Sequence, residues 1–75
     1  MTLILNAPMK RNEIAALLDG YQTGEGKIRV SSRTGIQIRL EYDGSDDVDK
    51  AIALVKNIIR STDFGKVLTF SVTAG

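Results

Sequence analysis

Apolar and polar residues recur along this chain at two periods, and each change of period marks an element. Between Lys27 and Ser31, Ile28 and Val30 point one way and Lys27, Arg29 and Ser31 the other. Between Ile36 and Tyr42, Ile36, Ile38, Leu40 and Tyr42 share one side, and Gln37, Arg39 and Glu41 the other. A period of two belongs to strands with one buried and one polar face. Ser32 to Gly35 has the small polar and glycine residues of a tight connection between them. Thr2 to Asn6 predicts a short first strand, with Leu3 and Leu5 on one side. Lys66 to Thr73 predicts a last strand, with Leu68, Phe70 and Val72 on one side.

Two other segments follow a helical period. Ile14, Leu17, Leu18 and Tyr21 fall at i, i+3, i+4 and i+7, predicting a helix over Pro8 to Asp19. Pro8 suits its first turn and Gly20 its end. Val48, Ile52, Val55 and Ile59 form a second stripe, widened by Ala51 and Ile58. Ser45 is a good N-cap for this helix. Asp46, Asp47 and Asp49 match the positive end of its dipole, and Lys56 and Arg60 the negative end.

The order is therefore β-α-β-β-α-β, in one α+β domain over residues 1–75. Two amphipathic helices must cover one face of a four-stranded antiparallel sheet. Right-handed crossovers put the first and third strands in the centre, giving the strand order 4-1-3-2. This is the ferredoxin-like two-layer sandwich. The second and fourth strands are expected at its edges.

Composition narrows the chemistry. The 75 residues, 43% hydrophobic and 25% charged, are those of an ordinary small globular domain. There is no cysteine and no histidine. The commonest general base, the commonest nucleophile–base pairs and the usual zinc ligands are therefore missing, and a non-enzymatic role without cofactor or metal is expected. A cysteine-free chain without a membrane-length apolar run or a basic-flanked leader is expected in the cytoplasm. The formal net charge is only +1, but it is unevenly spread. Lys27, Arg29, Arg33 and Arg39 dominate the hairpin, and Glu41, Asp43, Asp46, Asp47 and Asp49 follow it.

Two motif-like stretches do not carry the chemistry they suggest. The run from Asp43 to Asp49 fails as a calcium loop. Counting from Asp43, its sixth position is Val48 and its twelfth Leu54, where Gly and Glu are required. Gly20 to Lys27 has the glycines of a phosphate loop, but it follows a helix, precedes a strand and has Ile28 after the lysine. It reads as a helix-to-strand connection, with Tyr21 as a core residue closing the helical stripe.

The polar sheet face remains as a working surface. Lys27, Arg29, Gln37 and Arg39 are expected on it, Arg33 at the hairpin tip, and Asn6, Thr69 and Ser71 nearby. Arginines bind phosphates bidentately and stack on bases. The alternative is a solvated face on which Arg39 pairs with a cross-strand carboxylate. The stretch Ile36-Gln-Ile-Arg-Leu-Glu-Tyr42-Asp, continuing to Asp46-Asp-Val-Asp-Lys-Ala-Ile52, resembles the third strand and second helix of an RNA recognition motif. The element order over the whole chain agrees, and Leu3-Ile-Leu-Asn6 falls at that family's first-strand motif. Its stacking aromatics would fall on Ile4, Gln37 and Arg39, so they are absent here. Tyr42 matches an inward-facing core aromatic.

These readings predict a small binding module that takes single-stranded nucleic acid through Lys27, Arg29, Arg33, Gln37 and Arg39. The competing expectation is a protein-interaction or homodimerisation domain using residues 67–72 as an uncharged edge strand. No membrane partner is expected from either, and the chain is expected as monomer or homodimer.

Overall fold

The computed structural model describes residues 1–63, 65 and 69–75. The chain runs β1 (Thr2–Asn6), α1 (Arg11–Leu18), β2 (Tyr21–Gln22), β3 (Lys27–Thr34), β4 (Gln37–Tyr42), α2 (Val48–Arg60) and β5 (Ser71–Ala74). All neighbouring strands are antiparallel, in the order β2-β3-β4-β1-β5. The expectation of four strands in the order 4-1-3-2 is thus corrected to a sheet of five strands among the described residues. The overlooked strand is β2, which pairs Tyr21 with Ile28 and Gln22 with Lys27. It covers part of the strand that was expected at the edge.

Gly20 makes that strand possible. It takes φ 80, a conformation that costs glycine little, and so reverses the chain directly after α1. Its N–H then donates to the Ile28 carbonyl at 2.8 Å. Tyr21 is consequently a strand residue, 36% exposed, and not the last residue of a helical stripe. The helix is also shorter at its start. Lys10 adopts φ 61 at the N-cap position, which leaves Pro8 and Met9 outside α1.

The hairpin departs from perfect alternation at one residue. Val30 lies opposite Leu40, yet Ser32 lies opposite Arg39, so Ser31 is the extra residue of a β-bulge. Its hydroxyl donates to the Arg39 carbonyl at 3.2 Å. Beyond the bulge the facing of β3 reverses, and Arg33 stands opposite the inward-facing Ile38. The connection is reduced to Gly35 and Ile36. Gly35 takes φ 57, the positive φ that the first position of a tight hairpin turn demands. Ile36 sits in this turn at 46% exposure, not in the core as its alternation predicts.

Leu3 and Leu5 of β1, Ile28 of β3, Ile38, Leu40 and Tyr42 of β4 and Val72 of β5 form one buried cluster with Ile14, Ala15 and Leu18 of α1 and Ala51, Val55, Ile58 and Ile59 of α2. The helices therefore occupy one side of the sheet. The cap of α2 is Asp47, whose carboxylate accepts from the Lys50 N–H at 3.2 Å. Ser45, the expected cap, instead accepts from the Asp47 N–H at 3.0 Å and positions that residue. Val48 becomes the first helical residue and stays exposed.

The predicted last strand is also redrawn. Residues 66–68 of that stretch lie outside the described residues, Thr69 and Phe70 are not in a strand, and β5 is Ser71–Ala74. Among the described residues no helix is long and apolar enough to cross a membrane.

Candidate binding face

The side of the sheet that carries no helix is almost wholly polar. Register sets its side chains in rows across the strands. Arg29, Glu41 and Thr2 form one row. Ser32, Arg39, Ile4 and Thr73 form the next, and Thr34, Gln37, Asn6 and Ser71 the third. Neighbours within a row are about 4.8 Å apart, one strand spacing. Lys27 continues the face on β3, opposite Gln22. Lys27, Arg29, Gln37 and Arg39 are all exposed.

The charges on this face are not equivalent. Arg29 stands opposite Glu41. The Glu41 carboxylate accepts from the Thr2 hydroxyl, with one of its two contacts at 3.0 Å, so it is oriented toward β1. Arg39 stands between Ile4 and Ser32, neither of them charged. The pairing of Arg39 with a directly opposite carboxylate therefore has no partner in the register. A hollow of about 70 Å³ beside it is lined by Ile4, Ser32, Thr34, Gln37 and Arg39. A second hollow of about 200 Å³ lies between Met1, Lys27, Arg29, Glu41 and Asp43. Asp43 also accepts from the Lys27 N–H at 2.8 Å, which holds a carboxylate close to this end of the face.

Arg33 is the exception among the five residues expected to bind. The bulge turns it to the helix side, where its guanidinium donates to the Asn12 side chain of α1. The fold thus brings together Lys27, Arg29, Gln37 and Arg39 and separates Arg33 from them. Of the expected neighbours, Asn6 and Ser71 lie opposite each other at the rim, and Thr69 lies outside the strands. Ser32 and Thr73 were not singled out in the sequence, and Ile4 was named only as the place of an absent stacking aromatic. The bulge at Ser31 lies at the start of a polar run and leaves no mark on its pattern, so Ser32 carried no signal.

A larger hollow lies elsewhere. It measures about 320 Å³, between the Thr23–Gly26 loop and the first turns of α2. Tyr42 forms its floor, its hydroxyl 3.2 Å from the Thr23 hydroxyl. Glu25 and Lys50 stand at its polar rim and Ala51 and Leu54 on its apolar wall. None of these hollows contains a histidine or cysteine, and among the described residues no cluster of acidic side chains is arranged to hold a metal ion.

Comparison with protein-family models, curated proteins and solved structures returns no match.

Proposed function

We propose that this protein is a non-enzymatic binding module that takes single-stranded nucleic acid on the helix-free face of its sheet. The observation that carries this reading is the placement of Arg39, Arg29 and Lys27 on one uncovered face, with only the uncharged Ile4 and Ser32 opposite Arg39 on the neighbouring strands. The three cations would contact phosphates, and Gln37 would contact base edges. With Ile4 as the apolar residue beside Arg39, bases would stack on guanidinium planes in place of aromatic rings. The likeness to an RNA recognition motif supports a sheet-face mode, and the missing aromatics set its strength low. We propose the cytoplasm as its place of action, where single-stranded RNA is abundant.

Three phosphate contacts make the binding weak and salt-sensitive. Single strands lose affinity with a slope of about −0.7 per neutralised phosphate, so a plot of log K against log salt should fall with a slope of about −2. Titration of a fluorescent oligonucleotide at low salt should saturate with a Kd of about 10⁻⁵–10⁻⁴ M. A flat titration at protein concentrations of about 1 mM would remove the proposal.

A further inference from the structure

We infer that β5 is a dimerisation edge, and that its partner is β5 of a second copy of this chain, paired antiparallel about a twofold axis at Thr73. This goes beyond the binding of a ligand on the sheet face and does not depend on it.

The direction of the backbone groups follows from the register. The Gly75 N–H donates to the Thr2 carbonyl at 3.0 Å, and Ala74 lies opposite Leu3. In an antiparallel ladder, hydrogen-bonded and non-bonded pairs alternate. Thr73 therefore exchanges its bonds with Ile4, and Ser71 with Asn6. The N–H and C=O groups of Val72 and Ala74 point away from β1, toward the open edge of the sheet. The other side of β1 agrees with this phase. Met1 exchanges bonds with Tyr42, and the Ala7 N–H donates to Ile36, so the odd-numbered residues of β1 serve β4 and the even-numbered ones serve β5.

The two edges of the sheet are treated differently. At the far edge, β2 covers Lys27 and Ile28, and the Val30 N–H is taken by the Asp19 carboxylate at 3.2 Å. A bulge and the charged residues Lys27, Arg29 and Arg33 also lie on β3. These are the devices that keep an edge from pairing. On β5 there is no charge, proline or bulge. Among the described residues no side chain bonds the outward groups of Val72 or Ala74.

The strand is also complementary to itself. A twofold axis at Thr73 sets Val72 opposite Ala74 of the second copy, and Ala74 opposite its Val72. Each pair exchanges two backbone hydrogen bonds, four in all. Thr73 meets its own copy across the axis, a favourable cross-strand pair on the exposed face. Such a contact is closed, so association stops at two chains. A net charge of +1 leaves little repulsion between the copies. The product is one continuous ten-stranded sheet with both helix-free faces on the same side.

Sedimentation equilibrium of the full chain without nucleic acid tests this. Wild type should shift from 8.2 kDa toward twice that mass as concentration rises to about 1 mM. Thr73→Lys sets two like charges against each other at the axis and should weaken association roughly tenfold. Ala74→Pro removes an outward N–H that has no partner among the described residues and should weaken it as well. Amide exchange at Val72 and Ala74 should slow with concentration in wild type, and the exchange at Thr73 should not change. A wild-type chain that stays at 8.2 kDa throughout, or a dimer that both variants leave intact, would overturn the inference.

Discussion

Lys10 breaks two local preferences at one position. It takes φ 61, where a side chain with a β-carbon is strained by about 1–2 kcal/mol. It also occupies the N-cap of α1 without making a side-chain cap. Lys10→Gly should therefore raise the urea midpoint, by about 0.5–1 kcal/mol of stability after glycine's own entropy is subtracted. A lower midpoint would mean that the lysine side chain contributes contacts worth more than its strain. The caps of α2 separate in a similar way. Asp47→Ala should cost about 1 kcal/mol because its carboxylate satisfies the Lys50 N–H directly. Ser45→Ala should cost less, since Ser45 acts only by orienting Asp47. Equal losses in chemical denaturation would contradict that division. The sequence points to Ser45 as the cap and places Asp47 in the first turn; aspartate caps as well as serine, and the turn that follows Tyr42 decides for Asp47.

The hairpin of β3 and β4 shows how far alternation can be followed. Ile38, Leu40 and Tyr42 are buried as their period requires, and Arg39 and Gln37 lie outside. The pattern fails at the bulge, because the extra residue, Ser31, begins a run of polar residues whose string does not show that the facing beyond it is reversed. This reversal separates Arg33 from the other arginines. Arg33→Ala should therefore leave oligonucleotide affinity within about twofold, while Arg39→Ala lowers it about fivefold to tenfold, as a lost charge-assisted contact does. Loss of the Asn12 contact should appear for Arg33→Ala as a small drop in thermal stability instead. The two-residue β2 was illegible for a related reason. Its side chains are both exposed and too few to show a period, and its existence depends on the turn at Gly20.

At the scale of the molecule the strands run between two unlike ends. Asp43, Asp46, Asp47 and Asp49 follow the end of β4, whereas Lys10, Arg11 and Arg33 lie near the hairpin turn, where the Arg11 guanidinium donates to the Gly35 carbonyl at 2.8 Å. A nearly neutral chain is therefore strongly polarised along its strands. A single strand of nucleic acid should run across the face and away from the acidic end, so the amide resonances of Gln37 and Arg39 should shift most on binding, and those of Asp46 and Asp47 least. The two-layer α+β character is readable from the two periods alone. The strand count is not, because one strand depends on a single glycine turn, and the bounds of the last strand shift toward the C-terminus.

In the proposed function, binding rests on the helix-free face and on Arg39. The most direct test is a parallel titration of wild type, Arg39→Ala and Arg33→Ala with one labelled single-stranded oligonucleotide at low salt. The predicted result is saturable binding by wild type, near-equal binding by Arg33→Ala and a loss of about fivefold or more for Arg39→Ala. Equal affinity for all three proteins, or a loss confined to Arg33→Ala, would contradict it.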